Sequence, residues 1–246
     1  MEQFGIEKNR ISGAIRPYMC NTDEEPRTPK HFNDDVTDYL QITNGCPVRI
    51  YGSEFQAPTN NPNPHLVDLK HCANIDVDGC IFYNQLTENS SVPGFCYSLY
   101  CDYCTNVNIA RCTFHESRIG VRLSACSTGQ IVGIECDPYV DQIISLTSGT
   151  FGIEIIGVHC NSKLVIGNLG WPRAVSAIRV YDCTFKGIDI QGAVHDVQFE
   201  NVKADYLNLS YVKGARITGI SKVNCKFPFT NDIYYNESGQ LIEKSH

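Results

Sequence analysis

The chain has 246 residues, of which 20 are basic and 27 acidic, and its formal net charge is −7. Hydrophobic residues make up 42% of it and charged residues 19%, which allows a buried core and argues against wholesale disorder and against long solvated helices. The negative charge argues against nucleic-acid binding and against adhesion to anionic lipid. An apolar run of about eighteen residues is absent, so no membrane insertion is expected, and residues 1–20 lack the apolar core of a signal peptide.

A repeat of roughly two dozen residues runs along the chain. Its clearest copies are Asn74–Phe82, Asn106–Phe114 and Ala177–Phe185, in which a Cys stands two residues before a Phe. Weaker copies cover 48–55, 130–136, 154–160, 196–202 and 220–225. The near-constant spacing of the cysteines predicts one ladder of stacked inward thiols, which comprises Cys80, Cys112, Cys136, Cys160 and Cys183.

A second apolar alternation lies between successive copies, for example Val67-Asp68-Leu69 and Val121-Arg122-Leu123. Each repeat therefore holds two short strands, separated by turn residues. Two short strands cannot bury an apolar face alone, but stacked coils bury the inward residues of all of them in one column. The outward residues of this second series should then align as Asp68, Tyr100, Arg122, Ser145, Val165, Asp189 and Asn208.

From Val48 to Phe227 this pattern resembles the right-handed parallel β-helix of the pectin-lyase-like superfamily. The resemblance implies an all-β solenoid with about 23–24 residues per coil and a single domain over 1–246. In that domain, 1–46 would form a first coil or cap and a polar loop, 47–227 the regular coils, and 228–246 a cap or tail. A leucine-rich repeat is the structural rival, but it needs a regular Leu framework and an Asn ladder, and the sequence has neither.

The thirteen cysteines raise the question of metal or redox chemistry, most directly at Cys101-Asp102-Tyr103-Cys104. A second Cys-x-x-Cys is missing from the sequence, and Cys101 and Cys104 fall at inward ladder positions, so neither a metal site nor a cofactor is predicted. An odd number of inward thiols fits assembly in a reducing cytosol. The localisation is otherwise open, with the virion surface as the expectation for a viral protein.

The aligned outward column predicts a carbohydrate site. Asp68 and Asp102 would serve as acid and base or nucleophile in glycoside hydrolysis, and Arg122 would bind an acidic sugar or stabilise a carbanion in a lyase reaction. Tyr100, Tyr103 and Trp171 are the candidates for stacking on sugar rings, the last of them within an insertion over 168–173. The alternative is a solvated sheet face on which Asp–Arg pairs contribute little.

The first strand series predicts a mixed outward column. Asp76, Asn108 and Arg179 alternate in it with Val132 and Ile156, and Gln198 follows. The two aliphatic residues suggest a face covered by a loop or by another subunit, and a homotrimer is the oligomer expected by analogy with tail spikes.

Three functions remain open. The resemblance is strongest to β-helical tail spikes of viruses and phages, which implies binding, and possible cleavage, of a cell-surface polysaccharide. A free-standing polysaccharide lyase or glycoside hydrolase is the second, although the Gly-His-Gly and Arg-Ile-Lys motifs of polygalacturonases are absent. A structural virion component without a ligand is the third.

Overall fold

The computed structural model describes residues 5–7, 15–17, 40–57, 65–84, 97–168, 173–213, 217–218, 223–225, 233–235 and 241–243. Within these ranges every regular element is a β-strand, so the predicted all-β class is confirmed. The same ranges contain no helix long and apolar enough to cross a membrane.

Most strands belong to three sets, named here sheets A, B and C. Sheet A comprises β1 (Gly5–Glu7), β3 (Leu40–Thr43), β6 (His65–Lys70), β9 (Tyr97–Asp102), β12 (Ile119–Ser124), β15 (Gln142–Thr147), β17 (Lys163–Gly167), β20 (Val202–Lys213) and β22 (Val223–Cys225). Sheet B comprises β2 (Ile15–Pro17), β4 (Val48–Tyr51), β7 (Ala73–Asp78), β10 (Thr105–Ala110), β13 (Ser127–Val132), β16 (Phe151–Ile156), β18 (Val175–Tyr181) and β21 (Ile217–Thr218).

The remaining strands complete the description. Sheet C comprises β5 (Glu54–Gln56), β8 (Ile81–Tyr83), β11 (Thr113–His115) and β14 (Glu135–Cys136). The long strand β19 (Thr184–Glu200) joins sheets A and B, because it pairs with β17 and β20 in one and with β18 and β21 in the other. A separate antiparallel pair is formed by β23 (Ile233–Tyr235) and β24 (Leu241–Glu243).

Strands of successive repeats pair in parallel. In sheet A, β6 pairs with β9, β9 with β12 and β12 with β15, and sheet B repeats the order with β7, β10, β13 and β16. Sheet C follows it from β5 to β14. At the first repeat the direction changes, since β1 and β2 run antiparallel to β3 and β4.

The chain makes the same corners in repeat after repeat. Left-handed backbone conformations recur between sheets A and B at His71, Tyr103 and Ala125. The N–H of each donates to a carbonyl of the following repeat, for example His71 to Asp102 at 2.9 Å. A second series of positive φ angles separates sheet B from sheet C, at Gly52, Gly79, Arg111 and Gly133. Since non-glycine residues adopt this conformation at a cost, its recurrence shows that stacking fixes the corners.

Columns of like side chains fill the interior. The ring of Phe82 lies between those of Phe55 and Phe114, with centroids 5.1 and 4.9 Å apart and ring planes within 11°. Such stacked pairs contribute about 0.5–1.5 kcal/mol each beyond the area they bury. The thiols of Cys72 and Cys104 contact each other at the corner between sheets A and B, and both are buried, as predicted for Cys104.

The single thiol ladder predicted from the sequence is wrong at Cys136 and Cys160. Cys136 lies opposite Phe114, so Cys112 faces Ile134 instead. Further along, the bridge between His159 and Thr184 places Cys160 beside the Phe column rather than the thiol column. The register follows the buried aliphatic residues of the strands, and not the even spacing of the cysteines along the sequence.

The mixed outward column is wrong for the same reason. Asn108 lies opposite Gln130, Gln130 opposite Glu154, and Glu154 opposite Arg179. Val132 and Ile156 fall two residues further along the strands, level with Ala110 and Tyr181. The outward column of sheet B is therefore polar throughout its middle.

Candidate functional site

The residues predicted to meet on sheet A are brought together. Asp68, Tyr100 and Arg122 are register partners on the adjacent strands β6, β9 and β12. Two residues along β9, Asp102 lies opposite Lys70 on one side and Ser124 on the other. These residues, with Tyr97, are called here the sheet A cluster.

Asp68 does not lie on a solvated face, because it is only 5% exposed. Its Oδ2 accepts from Lys70 Nζ at 2.9 Å and from Gln41 Nε2 at 3.5 Å. Its Oδ1 is buried and accepts no hydrogen bond from the described residues. The ion pair of Asp68 is thus with Lys70 on its own strand, and the alternative of a solvated face does not hold at this position.

Aromatic rings separate Asp68 from Arg122. The ring of His65 stacks on that of Tyr97, with centroids 4.7 Å apart, and is tilted against Tyr100 at 5.0 Å. Arg122 donates from Nη1 to the hydroxyl of Tyr97, and its guanidinium carbon lies 4.8 Å from the centre of that ring. This His–Tyr–Arg stack was not predicted, because His65 and Tyr97 precede the alternating core of each strand.

The pKa of Tyr100 is raised by burial and by the carboxylates of Asp102 and Asp68. Burial raises the pKa of its phenol, the negative charge of Asp102 raises it further, and a hydrogen bond with Ser124 opposes both. The charge of Asp68 acts in the same direction as that of Asp102. The phenol is therefore held in its protonated form, in which it has a proton to donate.

Of the other two predicted stacking residues, the structure describes Tyr103. Tyr103 is 49% exposed at the corner after β9, and its ring stacks on His71 with centroids 5.3 Å apart. Trp171 lies outside the described residues. The structure therefore presents Tyr103 to solvent, on a rigid corner.

A second surface, called here the sheet B groove, was not predicted. It is an open depression of about 330 Å³ across the strands β10, β13, β16 and β18. Its lining comprises Asn106, Asn108, Gly129, Gln130, Gly152, Glu154, Ala177 and Arg179. The three small residues leave the space open, and the other five supply hydrogen-bonding groups.

Glu154 is at the centre of the groove. Gln130 Nε2 donates to its Oε2 at 2.9 Å, and Arg179 Nη1 approaches its Oε1 at 3.5 Å. At one end, Asn106 Nδ2 donates to Asn74 Oδ1 at 2.9 Å. The side chains thus brace one another across the strands while Gln130 and Arg179 stay exposed.

An apolar strip runs beside the groove. Ala110, Val132 and Ile156 lie in register on β10, β13 and β16, and Tyr181 continues the row on β18. All four are partly exposed. The outer face of sheet B therefore presents a polar row and an apolar row side by side.

The cysteine pair around Asp102 lies in the core. Cys101 and Cys104 are both buried, and the pKa of the Cys101 thiol is raised by its hydrogen bond with Cys104 and by burial. Across the described ranges, no group of three or more His, Cys, Asp or Glu side chains is arranged to hold a metal ion.

Comparisons with protein-family models, with curated proteins and with solved structures found no match. The function of the chain is therefore inferred from the chemistry of its described surfaces.

Proposed function

We propose that the chain is a right-handed parallel β-helix that binds a polysaccharide in the sheet B groove, in the manner of a viral or phage tail spike. The observation that carries the proposal is the polar row of Asn108, Gln130, Glu154 and Arg179. Strand spacing sets these side chains about 4.8 Å apart along an open surface. A groove of this shape suits an extended chain of repeating units better than a compact ligand.

The chemistry of the groove matches that of a sugar. Each sugar hydroxyl donates and accepts, and the groove offers amides that do both, a carboxylate that accepts and a guanidinium that donates. The neighbouring row with Val132, Ile156 and Tyr181 provides apolar contact for the carbon faces of the rings. The winding into a β-helix is supported by the parallel stacking and by the repeated corners.

A glycan array with acidic and neutral polysaccharides tests the proposal, followed by calorimetry on a bound oligosaccharide. Asn108→Ala and Gln130→Ala should each weaken binding about three- to tenfold, the loss expected for one neutral hydrogen bond. Gln56→Ala is the control, because Gln56 is an exposed amide on sheet C. An array without binding, or equal losses for Gln130→Ala and Gln56→Ala, would refute binding in the groove.

Cleavage is a second candidate function, favoured by the environment of Tyr100. Two carboxylates flank this phenol, and Asp68 has a buried oxygen that accepts no hydrogen bond from the described residues. Asp102 would act as the base and Tyr100 would donate a proton. New reducing ends or unsaturated products that vanish in Asp102→Asn but persist in Asp189→Asn would support it, whereas binding without turnover would reject it.

The homotrimer belongs to the same proposal. Val132 and Ile156 would be shared between the sugar and a neighbouring subunit, which would place the groove near the subunit boundary. Light scattering of the purified chain tests this, since a single-chain mass at micromolar concentration rejects the trimer. A stable trimer with no glycan bound would instead favour a structural virion component.

A further inference from the structure

The described cysteines differ sharply in their access to solvent. Seven of the ten are buried, and Cys46 is exposed at the corner before β4. Cys136 and Cys160 are both partly buried, and each thiol acts on the pKa of the other. They are therefore the one contacting pair among the described thiols that a reagent in solution can reach.

Cys136 and Cys160 occupy equivalent positions in successive coils. Val132 and Ile156 are register partners on β13 and β16, and Cys136 and Cys160 each follow four residues later. Paired parallel strands lie about 4.8 Å apart. The Cα atoms of disulfide-bonded cysteines lie about 4.4–6.8 Å apart, a range that includes this spacing of the coils.

The two thiols have opposite tendencies to ionise. The hydrogen bond from Cys160 lowers the pKa of the Cys136 thiol, against the opposing effect of burial. The same contact and burial raise the pKa of Cys160. The thiolate therefore forms on Cys136, which becomes the attacking sulfur.

We propose that Cys136 and Cys160 form a redox site that closes to a disulfide on reaction with a small-molecule disulfide. The thiolate of Cys136 attacks one sulfur of the reagent and expels the other as a thiolate, which leaves a mixed disulfide on Cys136. Cys160 loses its proton to solvent and attacks Cys136 Sγ, which expels the second thiolate. Two protein thiols are oxidised and one reagent disulfide is reduced to two thiols.

The location gives this bond a structural role. Sheet C ends at β14 in the described chain, and the coil that follows pairs with Thr184 on its other side but not with β14. A disulfide from Cys136 to Cys160 would link the coil of β14 covalently to the next coil at the end of sheet C. A protein assembled with reduced thiols would gain this covalent link after it entered an oxidising environment.

Oxidised glutathione is the probe. The reduced full chain is treated with it, the remaining thiols are alkylated, and the digested protein is mapped by mass spectrometry. We expect a Cys136–Cys160 cross-link and intact thiols at Cys80 and Cys112, a stacked pair that is fully buried. No cross-link, or glutathione attached only at Cys46, would overturn the proposal.

A variant and the parent chain distinguish the roles. Cys160→Ser should trap glutathione on Cys136, because the resolving thiol is missing. In the reduced parent chain, where the contact between the two thiols is intact, a brief pulse of an alkylating reagent should label Cys136 about tenfold faster than Cys160. Equal labelling of the two thiols would contradict the assignment of Cys136 as the attacking sulfur.

Discussion

At the scale of single residues, Gly129 is a position where a side chain would clash with the backbone of the neighbouring strand. Its φ is +154°, and a Cβ there would lie 2.1 Å from the carbonyl oxygen of Val107 on the neighbouring strand. Gly129→Ala should therefore lower the free energy of unfolding by about 2–4 kcal/mol, measured by urea denaturation. Gly133→Ala is the control, since its φ is +55° with nothing within 4 Å of the Cβ, and it should cost about 1 kcal/mol. Equal losses would contradict the clash.

The charge of Asp189 gives a prediction about pH. Burial raises the pKa of its carboxyl above the ordinary value of 3.8, and Asp141 adds to this, while Asn208 and Lys163 oppose it. The folded chain then holds this proton more tightly than the unfolded chain does. The stabilisation from the protonated carboxyl is therefore fully present below pH 3.8, and it is lost as the pH rises through the pKa of Asp189 in the folded chain.

The neutral variant Asp189→Asn removes this titration. The stability of the variant relative to the parent chain should be higher at pH 7 than at pH 3.5, as measured by urea midpoints at the two pH values. Because Asp189 is only half-buried, solvent screening keeps the effect small. A difference in midpoint that stays constant with pH would contradict the role of burial.

At the scale of elements, the Phe column of sheet C provides a direct test of stacking. Phe82 contacts a ring on each face, whereas Phe55 stacks on Phe82 and is 7% exposed. Phe82→Ala should lower the free energy of unfolding by about 3–5 kcal/mol, and Phe55→Ala by about 1 kcal/mol less. Thermal or urea denaturation measures both, and a larger loss at Phe55 would argue against a stacked column.

The register of sheet A was predictable from the sequence, and that of sheet B was predictable between β7 and β10 and between β13 and β16 but not between β10 and β13 or between β16 and β18. In sheet A, the triplets around Asp68, Tyr100 and Arg122 share one alternation, and the structure pairs them as expected. In sheet B, the cysteines gave a regular but misleading spacing. Alignment of the inward residues Ile109 and Ile131 would have found the true register, because burial of aliphatic side chains fixes it.

The features of the site that escaped prediction depend on contacts that the apolar alternation does not encode. Asp68 pairs with Lys70 two residues away, which alternation along a strand allows but does not require. The stack of His65 on Tyr97 joins register partners from successive repeats that lie ahead of the alternating triplets. The sheet B groove is lined by the small residues Gly129, Gly152 and Ala177 of neighbouring strands, and no spacing along the sequence showed that they would lie together.

At the scale of the whole molecule, each repeat contacts its neighbours in the stack, and stability should be a sum of local and nearest-neighbour contributions. Substitutions in adjacent coils should then interact, and those in distant coils should not. Phe82→Ala combined with Phe114→Ala should deviate from additivity by about 0.5–1.5 kcal/mol, because the two rings contact each other.

Ile190 is the site of the second substitution for the test in distant coils. It is buried on β19, five strands along sheet A from β6, whose chain continues into the coil of Phe82. Phe82→Ala and Ile190→Ala should add within about 0.5 kcal/mol in urea denaturation, since they share no contact. Strong coupling between them would mean that the stack unfolds as one tightly packed core, and the idea of independent coils would fail. Coupling confined to Phe82 and Phe114 would support a solenoid in which each coil is stabilised by the next.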